Sequence, residues 1–157
     1  MATLLHLYCP GLREADQAPT WDLLEMADWP PDLCIVHCPG PDPLDNARWL
    51  LRHWLAPGDL LTLEQDIMAT PEHVAALRAC EAPVCAWDFN LAHGVPWSEV
   101  PGGTGIGLWK ATEARRRTVV PTPPVPQVPW HDLAAMLWDY VGPAHVHRPL
   151  IGHNHRA

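Results

Sequence analysis

Two carboxylates close a short apolar run in Asp59-Leu60-Leu61-Thr62-Leu63-Glu64-Gln65-Asp66-Ile67. An apolar run of about four to eight residues is the pattern of a strand buried on both faces, and Leu60 to Leu63 fits it. In extended chain Glu64 and Asp66, two residues apart, leave the same face roughly 7 Å from one another. Carboxylates at the carboxyl end of such a strand stand where open α/β sheets bind ligands. Hard divalent cations that carry phosphates prefer oxygen ligands of this kind. Taken alone, Glu64 and Asp66 read more simply as a solvated strand end.

The other end of the chain adds histidines. His145 and His147 alternate around Val146, and His153 and His155 alternate around Asn154. In extended chain each pair presents one face, and neutral imidazole is a common ligand for divalent transition metals. A surface tail is the plain alternative. A purification tag does not fit, because Val, Leu, Ile and Pro are interspersed. Read together, Glu64, Asp66 and one of His145, His147, His153 or His155 make a mixed carboxylate and imidazole site for Mn²⁺ or Mg²⁺. Such a cation would hold a diphosphate and stabilise its charge as it leaves.

Other groups invite chemistry less directly. Asp132, in Trp130-His131-Asp132, opens a helix. A carboxylate there is favoured by the helix dipole, or serves as a general base toward an acceptor hydroxyl. Gly102-Gly103-Thr104-Gly105-Ile106-Gly107 lies too late in the chain for a dinucleotide fingerprint; it suits a close approach of backbone to ligand, or a flexible hairpin. Cys34-Ile35-Val36-His37-Cys38 offers a zinc site, but reads equally as a buried strand. Lys110 with Arg115, Arg116 and Arg117 forms a basic patch suited to phosphate, or simply a solvated helix face.

The elements that must position these groups alternate. Strands are predicted at Leu4–Tyr8, Leu33–His37, Leu60–Leu63 and Pro83–Trp87, with helices at Trp21–Ala27 behind a Thr20 cap, Asp45–Leu55, and from Thr70-Pro71 onward. That order predicts a mainly parallel α/β sheet with helices on both faces. Beyond Trp87 the pattern loosens. Asp88–Gly103 reads as loop, Thr104–Lys110 as a strand running into a basic helix, Val119–Pro129 as extended and proline-rich, and Trp130–Val141 as an amphipathic helix.

With 157 residues and 48% hydrophobic content the chain suits one globular domain. Residues 1–90 would form a βα half, and 91–157 an acceptor side with a metal-binding tail. No signal peptide or membrane span is evident, which points to the cytoplasm. Five cysteines at irregular spacing do not make a disulfide framework. The formal charge of −8 disfavours general nucleic-acid binding, which needs Lys and Arg against phosphate. Most of the nine tryptophans are expected in the core, although Trp87, Trp109 and Trp130 would also suit stacking on a sugar or base.

These pieces resemble the nucleotide-sugar-dependent glycosyltransferases of the GT-A fold. Glu64-Gln65-Asp66 looks like the metal-binding D-x-D motif of that family, and the terminal histidines look like the residue that completes its metal site. The resemblance implies a Rossmann-like α/β domain that transfers a sugar from a nucleoside diphosphate sugar, UDP-linked by preference, to a hydroxyl acceptor. It implies that Glu64, Gln65 and Asp66, with the turn Cys9-Pro10-Gly11 after the first strand, line the donor pocket, and that Asp132 is the base. A hydroxymethylated DNA base of viral type is one expected acceptor, and a monomer or homodimer the expected state. Two departures stand out: the first acid is Glu, and the chain is short for the fold. Rival expectations are a non-catalytic metal-binding interaction module and a metal-dependent nucleotidyltransferase or phosphohydrolase.

Overall fold

Leu4–Leu7 and Leu60–Leu63 are apolar on both sides of the strand because the sheet they build is covered on both faces. The computed structural model describes residues 1–7, 20–25, 28–92, 95–99, 107–118, 137, 141–142 and 144–153. In chain order these include β1 (Ala2–Leu7), a helical stretch over 20–25, β2 (Leu33–His37), α1 (Pro43–Trp54), β3 (Asp59–Glu64), β4 (Ile67–Met68) and α2 (Pro71–Ala79). Then come β5 (Val84–Ala92), β6 (Val95–Pro96), a 3-10 turn (Trp97–Glu99), β7 (Leu108–Ala111), α3 (Glu113–Thr118) and β8 (His145–His153). The strand order is β2-β1-β3-β7-β5-β8-β4, with β6 against β5.

The helix starts follow from sequence. The Asp42 carboxylate accepts from Leu44 N and Asp45 N, both at 2.9 Å, just before Pro43 begins α1. At α2, Thr70 N donates to His73 Nδ1 at 2.9 Å. Trp49, Leu50 and Trp54 of α1 bury against Leu5, Leu7, Leu60, Ala86 and Trp109 on one face of the sheet. Val74 and Leu77 of α2, with Leu24, bury against Leu4, Leu61, Leu63, Cys85, Phe89 and Leu108 on the other. The mixed α/β class is therefore as expected, with helices on both faces.

The sheet is mixed: β1, β2, β3, β5 and β8 run the same way, and β4, β6 and β7 run against them. β1 pairs in parallel with β2 and β3, and β5 with β8, but β7 lies antiparallel between β3 and β5. The chain leaves the sheet at the end of β5 and re-enters it at Gly107, beside Glu64, on that same edge; β7 must then run back down. The stretch expected to be loop after Trp87 continues as β5 to Ala92, followed by β6 and the 3-10 turn. β7 and β8 join the strands of residues 1–90 in one sheet. No helix among the described residues is long and apolar enough to cross a membrane.

Candidate functional site

Glu64 ends β3, but Gln65 and Asp66 form a turn and do not prolong the strand, so the expected shared face of Glu64 and Asp66 is not the arrangement found. The turn is tied down from three sides. Glu64 N donates to Gly107 O at 3.1 Å, while Gly107 N donates to Glu64 Oε2 at 2.8 Å. Gln65 N donates to Leu7 O at 3.1 Å, at the end of β1. Thr20, expected as a helix cap, instead donates its hydroxyl to Gln65 O at 2.8 Å. Glu64, Gln65 and Asp66 are all buried.

After the turn, β4 pairs antiparallel with the end of β8, placing Ile67 opposite His153 and Met68 opposite Gly152. The middle of the chain and its tail thus meet at the carboxyl edge of the parallel strands, with His153 one register step from Asp66. The other histidines are placed differently. His145 and His147 open β8 in register with Cys85 and Trp87, and a ring nitrogen of His147 lies within 4.8 Å of the Cys80 and Cys85 sulfurs. Among the described residues this is the one group of three ligand atoms so gathered, and neither Glu64 nor Asp66 belongs to it. Hence His147 does not share the carboxylate site, for its strand position joins it to β5 and the end of α2. Cys9, Pro10, Gly11, Asp132, Trp130 and His155 lie outside the described residues.

A histidine pair that sequence reasoning did not single out flanks the turn. His6 of β1 and His37 of β2 are register partners, with Nδ1 atoms 3.1 Å apart. Trp21 stacks on His37 at 4.3 Å and meets His6 edge-on at 4.6 Å. The only hint in sequence was that each imidazole sits in the last residues of an apolar strand. His37 therefore turns toward His6 and Trp21, Cys34 is exposed, and the zinc alternative at Cys34, His37 and Cys38 is not assembled.

Burial, and then the neighbouring His37, push the His6 pKa down from 6.5 to about 3. A depressed imidazole gives stability that is complete above the unfolded value and lost as pH falls toward the folded one. Between pH 7.5 and pH 5 this group alone should remove about 2 kcal/mol of unfolding free energy. Urea denaturation of wild type and His6→Leu at both pH values measures it. An equal acid loss in the two proteins would refute the assignment.

Several residues that looked available for ligands are committed to the fold. Trp109 is fully buried. Trp87 is packed by His147 on one side (5.2 Å, near-parallel) and His73 on another (4.5 Å), and donates Nε1 to Pro149 O at 2.7 Å. The basic patch is dismantled. Lys110 is buried, donating to Cys80 O at 2.5 Å, and Arg115 Nε donates to Val141 O at 2.8 Å. Arg116 is buried, and its guanidinium donates to Trp54 O, Ala56 O and Gly58 O. Arg117 pairs with Glu113 at 2.5 Å. Asp88, also missed, is fully buried in β5 and accepts from Ser98 N (3.1 Å) and Ser98 Oγ (2.6 Å), with Arg148 at 3.4 Å; it fastens the 3-10 turn to the sheet.

Comparison of the chain with protein-family models, with curated proteins and with solved structures finds no match.

Proposed function

We propose that the protein is a metal-dependent glycosyltransferase that moves a sugar from a nucleoside diphosphate donor to a hydroxyl acceptor. One observation carries this reading: β3 delivers the Glu64-Gln65-Asp66 turn to the carboxyl edge of the parallel strands, and β4 pairs it with the histidine-bearing end of β8. The donor set fits Mn²⁺ or Mg²⁺, since Asp66 supplies hard carboxylate oxygen and the β4–β8 register sets His153 opposite Ile67, the residue after Asp66. A bound cation would supply charge neutralisation for the departing diphosphate.

The chain's own residues divide the remaining work. Asp66 would hold the cation. Glu64, held by Gly107 N, fixes the turn and with it the position of Asp66. His6 and His37, at the ends of β1 and β2, with Trp21 packed on them, would border the place where the nucleotide lies, and Cys9, Pro10 and Gly11 follow shortly after β1 in sequence. Asp132 takes the proton of the acceptor hydroxyl. Because Lys110 and Arg116 are buried and bonded internally, the expected basic patch for a modified-DNA acceptor is not assembled among the described residues, and a small or carbohydrate hydroxyl fits better.

A thermal-shift screen of nucleoside diphosphate sugars with and without Mn²⁺ identifies the donor. Ligand at 100 times its dissociation constant adds roughly 2.7 kcal/mol of stability. Asp66→Ala should then lower the transfer rate roughly 100-fold, about 2.7 kcal/mol of barrier, with circular dichroism reporting whether the variant is folded. Transfer at the wild-type rate in that variant rejects the proposal. Hydrolysis of the donor at equal rates with and without acceptor favours a phosphohydrolase.

A further inference from the structure

The geometry points to a second metal site, built from Cys80, Cys85 and His147, that takes a soft divalent ion, Zn²⁺, independently of the carboxylate turn. Its three ligands come from three elements: Cys80 caps the end of α2, Cys85 is in β5 and His147 in β8. Their ligand atoms already lie within 4.8 Å of one another. Tetrahedral zinc with Zn–S of about 2.3 Å needs sulfurs roughly 3.8 Å apart, a change within reach of small side-chain rotations.

A second observation points the same way. His147 Nε2 is buried, with no hydrogen-bond partner among the described residues, an arrangement that native proteins seldom leave unanswered. The imidazole is held in orientation by Trp87 stacked at 5.2 Å and by His145 edge-on at 4.9 Å. The Lys110 ammonium, donating to Cys80 O, fixes the backbone that carries the first thiol. Two thiolates balance the charge of the dication. A thiolate and imidazole set favours Zn²⁺ over Mn²⁺ or Mg²⁺, which separates this site chemically from the one at Asp66. Cys80 and His147 are only half-buried, so the ion has a way in, and water fills the fourth position. The bound ion would staple α2 to β5 and β8.

The test uses the full-length chain purified under reducing conditions, stripped of metal and titrated with Co²⁺ and then Zn²⁺. One equivalent of Co²⁺ should give thiolate-to-cobalt charge-transfer absorption and tetrahedral ligand-field bands, both displaced by Zn²⁺. Cys80→Ser and His147→Gln should each lower zinc affinity by more than about 100-fold, beyond the range of outer-shell substitutions. Circular dichroism shows whether each variant is folded. Asp66→Ala should keep the full cobalt spectrum, so this result stands or falls apart from the glycosyltransferase reading. Three outcomes would overturn the proposal: no charge-transfer bands in folded wild type, unchanged zinc affinity in both ligand variants, or a Cys80–Cys85 disulfide forming in place of metal binding.

Discussion

Replacing Arg116 by Met should cost roughly 3 to 5 kcal/mol of unfolding free energy, a third or more of what many domains of this size possess. Arg116 is 3% exposed, and its guanidinium donates to the carbonyl of Trp54, at the end of α1, and to those of Ala56 and Gly58 in the turn that follows. It also lies 5.9 Å over the Trp54 ring. Met keeps the volume and the packing but removes every donor, so three carbonyls lose their partner at once. Lys at 116 should recover only part of the loss, since one ammonium cannot span the fork that the guanidinium fills. Urea unfolding at constant slope reads the difference. A loss below 1 kcal/mol would mean that water reaches those carbonyls and that the arginine is dispensable.

Gly107→Ala should destabilise by roughly 2 to 5 kcal/mol, the sum of a left-handed backbone carrying a side chain and an overfilled core. Gly107 has φ +49°, and a Cβ there would stand 2.5 Å from the Phe89 ring, itself 3% exposed and unable to retreat. The double variant with Phe89→Leu should recover the steric part and leave the backbone part, a coupling that a double-mutant cycle isolates. Additive losses would show that the ring is not the obstacle. Since Gly107 N holds Glu64, the same substitution should also weaken Mn²⁺-dependent donor binding, in the proposed function, more than its effect on melting alone explains.

The contrast between these residues shows which information the chain displays openly. β2, α1, β3 and the start of α2 were legible because local rules agree there: an apolar run, a cap, a proline at the first helical position. Strand direction is not a local property. The same apolar residues at Leu108–Ala111 would suit either orientation, and only the re-entry of the chain beside Glu64 makes β7 antiparallel. The arginine run shows a related blindness. Three consecutive helical residues point about 100° apart, so at most one faces inward, and composition cannot say that it is Arg116.

The candidate sites divide in the same way. Glu64 and Asp66 were visible because an apolar run ends abruptly in acid. Cys80 and Cys85, spaced as Cys-x4-Cys, carried a weak signal, yet their partner His147 stands 62 positions after Cys85, and only the parallel register of β5 with β8 unites them. The tail histidines looked like one group in sequence. The length of β8 splits them, with His147 at one end beside thiols and His153 at the other beside the carboxylate turn.

The antiparallel strand in the middle of the sheet also has a consequence for biosynthesis. A nascent polypeptide that has emerged only as far as Ala92 holds β3 and β5, but the strand that joins them, β7, has not yet emerged. Until Leu108–Ala111 leaves the ribosome, two sheet fragments have edges facing each other across a vacant lane, each open to mispairing. Productive closure must therefore wait for Leu108–Ala111 to emerge, and chains released before residue 111 are the ones that chaperones should retain.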